Sequence, residues 1–411
     1  MLAFVFIVLV NFHLCSSHLS IELFQSALTS AKKEVGGNFV IKYPNGASLS
    51  KIQETYPNSM PFPCENITKN HFGRSPIKPV SVHRLKPGDI DVIGAMGDSL
   101  IAGNGAMEDY ALGTMIENRG ISWCAGGQSN WRQFLTLPNI LKEFNPNLTG
   151  YSTGTGEFLS ANAQMNVAYP VSADEDALRQ ARILVKKIKN DPKIDFQNDW
   201  KMITVFFGAN DLCSAQCYDK EKASPLNHGL KLMKALDYLQ ENLPRTFVNL
   251  IPVLDVSASV RIKRSMICKI MHRLFCACFH QNGNEMELIT KMVRDYQEAE
   301  KILIDSGRYD TKDDFTVVIQ PFMKFFNTPA NFNEARDEVI DNSYITHDCF
   351  HFSQKGHALG ANLLWNNLLE PVGRKSVRKM VLMEEFKCPS IEAPFLFTKI
   401  NSQNFLVAGI Q

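Results

Sequence analysis

Apolar positions along this chain fall into short unbroken runs separated by longer stretches with helical spacing. Four runs stand out: Ile90 to Met96, Ile203 to Phe207, Thr246 to Val253 and Phe315 to Ile319. A weaker one ends near Asn166-Val167-Ala168. Runs of this length without polar alternation predict strands buried on both faces, as in a parallel sheet. Between them, His228 to Leu243 and Glu285 to Ser306 carry apolar residues three and four apart, which predicts amphipathic helices. The stretch from Ala173 to Ile188 begins with acids and ends among Lys186, Lys187 and Lys189, the order a helix dipole favours. A last helical pattern runs from Ala358 to Leu369. Strands alternating with helices predict an α/β fold with a mostly parallel sheet of about five strands, covered on both faces. Such folds bind ligands at the carboxyl ends of their strands.

The amino-terminal end has a different pattern. Leu2 to Val10 is continuously apolar, no Asp, Glu, Lys or Arg occurs before His18, and small residues follow at Cys15, Ser16 and Ser17. This predicts a secretory signal peptide over residues 1–17, with a signal anchor as the alternative. The run is shorter than the roughly 20 residues of a membrane span. With 45% hydrophobic and 21% charged residues, the 411-residue chain is not of the disordered class. Lys+Arg at 43 against Asp+Glu at 42 argues against binding nucleic acid by phosphate neutralisation. Of ten cysteines, nine follow the leader, which fits an oxidising compartment and leaves one thiol over. Zinc held by Cys276, Cys278 and His280 is a weaker possibility. The sequons Asn66-Ile-Thr and Asn147-Leu-Thr predict exposed glycosylation sites. The expected location is therefore secreted, with no transmembrane span.

Candidate chemistry sits at the strand ends. The first strand runs into Met96-Gly97-Asp98-Ser99-Leu100, where Ser99 would open a helix with its hydroxyl and N–H exposed. An ordinary helix cap is the plainer interpretation of that serine, and no Gly-x-Ser-x-Gly surrounds it. Phe207-Gly208-Ala209-Asn210-Asp211 could aim the Asn210 amide at a developing negative charge, or simply end a strand with an Asx turn. Gly126-Gly127 could supply another donor, though alone it is only a turn. Near the end, Asp348 and His351 stand three apart before a helix, so the carboxylate can hold one ring nitrogen while the other takes a proton. His347 and His357 are candidates of equal standing on local grounds.

Taken together and in order, Gly97-Asp98-Ser99-Leu100, Gly127, Gly208-x-Asn210-Asp211 and Asp348-x-x-His351 resemble the GDSL or SGNH hydrolase superfamily. Longer strings resemble its phospholipase B branch, among them Met96 to Gly105, Arg119-Gly120-Ile121-Ser122-Trp123, Leu137-Pro138-Asn139-Ile140-Leu141 and Asp348 to Ser353. The resemblance spans about Pro61 to Ser402. It implies a three-layer α/β/α, flavodoxin-like domain over 61–402 with a catalytic core about 86–375. Residues 18–60 would form an extension and 403–411 a tail. It implies Ser99 as nucleophile, His351 as general base and acid, and Asp348 as its orienter. The implied oxyanion hole is the N–H of Ser99, the N–H of Gly127 (or Gly126) and the side-chain amide of Asn210. Asp98 would brace the nucleophile turn. Ile101, Cys124-Ala125 and Tyr169 depart from the family pattern.

The implied activity is metal-independent, cofactor-free hydrolysis of glycerophospholipid acyl esters at lipid aggregate surfaces, removing the sn-2 and then the sn-1 chain. Alternatives are another esterase of this fold, acting on retinyl esters, acylglycerols or acetylated glycans, and a non-catalytic lipid or glycan binder. Arg119, Arg132 and Lys142 flank the second block and are headgroup candidates, with solvated surface as the plainer account. The basic stretch from Arg261 to Arg273 could meet anionic lipid, or could be a disulfide-tied insertion. The extent of the match suggests a Cys64–Cys388 bond across its ends, a Cys213–Cys217 bond after Asn210, and Cys124 as the odd thiol.

Overall fold

The four strong apolar runs become four parallel strands: β1 Ile90–Gly97, β2 Trp200–Phe206, β3 Thr246–Leu250 and β4 Phe315–Ile319. They pair in the order β1-β2-β3-β4. The structure is a computed structural model that describes residues 51–69, 73–215, 217, 219–261, 268–270, 272, 276, 278, 285–328 and 341–407. The leader expected over 1–17 and His280 lie outside the described residues. The weaker run adds a fifth, irregular rung beside β1. There Ala95 N donates to Met165 O at 3.0 Å, and Val167 N donates to Ala95 O at 2.9 Å. Gln164, at φ 48°, turns the chain just before that rung and keeps it from extending into a full strand.

Alternate residues of each strand point to opposite faces and feed two cores. Val92, Met96, Ile203, Val205, Val248 and Leu250 meet Ala181, Leu184 and Ile188 of α3 (Ala177–Asn190) and Leu232, Leu236 and Leu239 of α4 (Pro225–Asn242). On the other face Ile93, Ala95, Met202, Phe206 and Phe247 meet Leu364, Trp365 and Leu368 of α6 (Gln354–Leu368). The short helix α2 (Leu137–Lys142) joins this second layer, and α5 (Glu285–Asp305) packs along α4. The result is a three-layer α/β/α fold. Among the described residues no helix is long and apolar enough to cross a membrane.

Two expected boundaries move. Gln53 is buried, its N–H donates to Gln354 Oε1 at 2.6 Å, and its Oε1 accepts from Leu135 N at 2.9 Å. Residues from 51 onward therefore belong to the packed domain, because they satisfy buried polar groups within it. At the other end one helix runs Lys399–Val407 through the expected limit at 402.

Four disulfides close the structure: Cys64–Cys388, Cys213–Cys276, Cys217–Cys278 and Cys268–Cys349. Cys213 and Cys217 thus do not bond each other; they bond Cys276 and Cys278 instead. Among the described residues Cys124 is the free thiol, buried near Ser122. Asn66 and Asn147 are both exposed, Asn66 on the short helix Glu65–Lys69 rather than on a loop.

Leu236 is fully buried between α4 and the sheet, whereas Leu226 on the same helix is 70% exposed. Leu236→Ala is expected to lower the unfolding free energy by about 2–5 kcal/mol. Leu226→Ala should change it by no more than about 0.5 kcal/mol. Urea midpoints at unchanged slope measure both.

Candidate active site

The site is assembled at the carboxyl ends of β1 and β2. At Gly97 a Cβ would stand 2.4 Å from Phe206 O, so only glycine lets β1 end this close to β2. The Gln180 side chain grips both polar groups of Gly97, accepting from its N at 2.8 Å and donating to its O at 2.8 Å. Asp98 then caps the four-residue helix α1 (Ser99–Ala102), its Oδ1 accepting from Leu100 N at 2.8 Å. A helix this short adds little dipole. What matters is that the Ser99 amide, in its first turn, has no intrahelical acceptor.

His351 arrives from a tight loop closed by Thr346 N donating to His351 O at 2.8 Å. Its Nε2 lies 2.7 Å from Ser99 Oγ, and its Nδ1 lies 2.5 Å from Asp348 Oδ2. Asp348 is buried, yet its other oxygen accepts from the N–H groups of Phe350 and His351 at 2.9 and 3.1 Å. The hydroxyls of Thr114, at 2.6 Å, and Thr346 also donate to it. Burial alone would raise the Asp348 pKa. The His351 charge and these hydrogen bonds outweigh it and hold the carboxyl far below the usual range. With Asp348 ionised and accepting, Nδ1 carries the proton and Nε2 is left to accept from serine.

Asn210 follows β2 at Gly208, which adopts φ 113°; a Cβ there would stand 2.9 Å from Val253 Cγ2. The Asn210 Nδ2 donates to Ser172 O at 2.8 Å and reaches Asp98 Oδ2 at 3.5 Å. Asp98 is buried beside these groups. Burial pushes its pKa up to about 7, against the Leu100 N–H and the His351 charge.

Other expected members lie elsewhere. The Gly127 N–H donates to Ser152 O and the Gly126 N–H to Ser122 O, both at 2.8 Å, so neither donor is turned toward an oxyanion. Arg119 is fully buried, bonded to the carbonyls of Gly156, Asn166 and Ala168 and paired with Glu117; it staples loops together rather than meeting a headgroup. Arg132 donates to Met60 O, and Lys142 donates to Gly127 O and Ser129 O. Most of the basic stretch from Arg261 to Arg273 falls outside the described residues. Cys276 and Cys278 are spent in disulfides, which removes the zinc alternative built on them. His357 is buried, with Nδ1 accepting from Trp123 N at 3.2 Å, so it is a core histidine. Thr114 escaped sequence reasoning: it stands 234 positions from Asp348, with no local motif to mark it. Thr346 stands two residues before Asp348, just outside the Asp348–His351 motif.

Among known proteins, the chain matches the family described as GDSL-like Lipase/Acylhydrolase over residues 93–364, a span that holds all four sequence blocks. It is 45% identical over 373 residues to "Phospholipase B1, membrane-associated" of Homo sapiens, covering 89% of this chain and 25% of that one. It is 42% identical over 334 residues to the Mus musculus protein of the same name, covering 79% and 22%. The chain spans about a quarter of the length of the relatives it matches.

Burial drives the His357 pKa down to about 3, with the His351 charge adding to the effect. A depressed histidine contributes stability that is complete above its unfolded pKa, about 6.5, and is lost as pH falls toward the folded value. His357→Asn keeps an acceptor for Trp123 but cannot titrate. The stability gap between wild type and this variant should narrow as pH falls from 7.5 to 5, about the window stated. Urea unfolding at a series of pH values measures it.

Proposed function

The chain belongs to the GDSL-like lipase/acylhydrolase family, a family of serine ester hydrolases, and from that premise we propose that it hydrolyses acyl esters of glycerophospholipids through an acyl-enzyme on Ser99. The observation that carries this is the hydrogen-bonded line from Ser99 Oγ to His351 Nε2, 2.7 Å, and from His351 Nδ1 to Asp348 Oδ2, 2.5 Å.

In this mechanism Ser99 Oγ attacks the ester carbonyl carbon while Nε2 takes its proton. Asp348 holds the ring and stabilises the imidazolium that forms. The oxyanion receives the Ser99 N–H and the Asn210 amide hydrogen not bonded to Ser172 O, in place of its long contact with Asp98. When the tetrahedral species collapses, the bond to the glycerol oxygen breaks and His351 returns the proton to it. Water then attacks the acyl carbon, giving its proton to Nε2; the acyl–Oγ bond breaks, Ser99 is reprotonated and a fatty acid leaves.

The phospholipid substrate is supported by the names of the relatives, which are called phospholipases and membrane-associated. Removal of the sn-2 and then the sn-1 chain follows the phospholipase B pattern. The apolar leader and the four disulfides support secretion.

Wild type and Ser99→Ala, incubated with liposomes of mixed-chain phosphatidylcholine, should differ in one respect when products are identified by mass. Wild type releases first one fatty acid and then the other; Ser99→Ala releases neither and fails to bind a fluorophosphonate probe. Labelling of Ser99→Ala at the wild-type rate would overturn the nucleophile assignment. Cleavage of soluble short esters with no action on the liposomes would turn the substrate toward another ester. Asn210→Ala should lower kcat by about 10²–10³. Thr114→Val should lower kcat/KM by about tenfold, through loss of one hydrogen bond to a charged group.

A further inference from the structure

Behind the Asn210 turn lies a buried ionic cluster that the chemistry of Ser99 does not use. His228 of α4 is 0% exposed. Its Nδ1 faces Asp174 Oδ2 at 3.1 Å and its Nε2 faces Glu300 Oε1 at 3.2 Å. Both carboxylates are also fully buried. Lys231 Nζ reaches Asp174 Oδ1 at 2.6 Å, and both Glu300 oxygens accept from Val253 N at 3.2 Å. The Tyr296 ring stacks on the imidazole with centroids 4.2 Å apart, a contact that favours a cation.

Carboxylate oxygens only accept, so both ring nitrogens are satisfied when both carry hydrogen. His228 is then an imidazolium. Burial opposes that state, but the bonds to Asp174 and Glu300 and their charges outweigh it and raise the pKa to about 9. Asp211, adjacent to Asn210, accepts from Asp174 N at 3.0 Å. Burial and the Asp174 charge push the Asp211 carboxyl up to about 7, against the pull of His228. Burial raises the Glu300 pKa, and the bond and charge of His228, the Val253 N–H and the Lys324 charge oppose it.

The cluster anchors one end of the 171–174 turn. The other end meets the site, where Ser172 O receives the Asn210 amide and Ser172 Oγ receives Gln180 Nε2 at 2.9 Å. Val171, just before Ser172, has φ 63° although its side chain is exposed. A β-branched residue in that region is strained and persists only when its surroundings fix it.

We propose that His228, clamped as a cation between Asp174 and Glu300, is a positioning residue that holds the 171–174 turn and, through Ser172, orients the Asn210 amide for the oxyanion. This rests on the assignment of Asn210 as an oxyanion donor. Removing the ring charge loosens the turn, and a donor misplaced by a fraction of an ångström loses much of its effect.

The test is a double-mutant cycle in the full chain, with His228→Gln, Asn210→Ala and the pair assayed on a soluble ester. His228→Gln should lower kcat about 10- to 100-fold with KM within about twofold, and should add less than about twofold on an Asn210→Ala background, because both act through one donor. Multiplicative losses, or an unchanged kcat in a folded His228→Gln protein, overturn the proposal. Should His228→Gln not fold, Glu300→Gln keeps the shape, removes one charge and must show the same non-additivity. An Asn210→Ala variant with full kcat would instead overturn the donor assignment itself. Nitrogen NMR of the ring at neutral pH gives an independent readout: both His228 nitrogens should be protonated, and a neutral ring overturns the clamp.

Discussion

A carboxylate that is only 3% exposed keeps its charge only if donors replace the water it has lost, and Asp348 is such a group. Two threonine hydroxyls, two backbone N–H groups and the His351 ring all point at it. That convergence fixes the ring tautomer, the ring plane and the direction in which Nε2 faces Ser99. Asp98, just before Ser99, is buried to the same degree but receives the Leu100 N–H and only a long contact from Asn210. Its pKa moves the opposite way. One buried aspartate precedes the serine and the other holds its histidine, and the number of donors each receives moves their pKa values in opposite directions.

The hydrophobic pattern carried most of the fold, because doubly covered strands must be apolar throughout and helices must show a stripe. The fifth strand was legible only as a rung, since one residue outside the extended region at Gln164 cuts it short. For the site, a spacing of three between Asp348 and His351 is enough to bring carboxylate to imidazole, so that contact could be read locally. The direction of a backbone N–H could not. Gly126 and Gly127 look like ready donors in sequence, but the carbonyl of Ser122, four residues back, and that of Ser152 take both. Thr114 and the His228 cluster were equally hidden. Each is defined by partners dozens to hundreds of residues away, and a threonine or histidine on an ordinary stretch carries no sign of them.

Cysteine pairing shows the same limit with a different outcome. Cys64 and Cys388 lie at the margins of the recognisable domain, which made their bond legible. Cys213 and Cys217 stand close in sequence but bond outward to Cys276 and Cys278. Cys268 in turn reaches Cys349, inside the Asp348–His351 turn. One segment is therefore sewn both to the loop after Asn210 and to the loop that carries the imidazole. The groups proposed to hold the oxyanion and to move the proton share a covalent frame that neither strand order nor hydrogen bonding supplies.

The Cys64–Cys388 bond joins positions 324 apart in sequence, and it also decides how the domain answers mechanical load. A pull on the chain flanking these two cysteines passes through the sulfur bridge and bypasses everything between them. The β1 edge, the Ser99 turn and the His351 loop all lie within that bypass. Tension that would peel a sheet apart from its ends leaves this one slack. Load applied on either side of the bridge therefore leaves the Ser99 turn and the His351 loop at their resting separation.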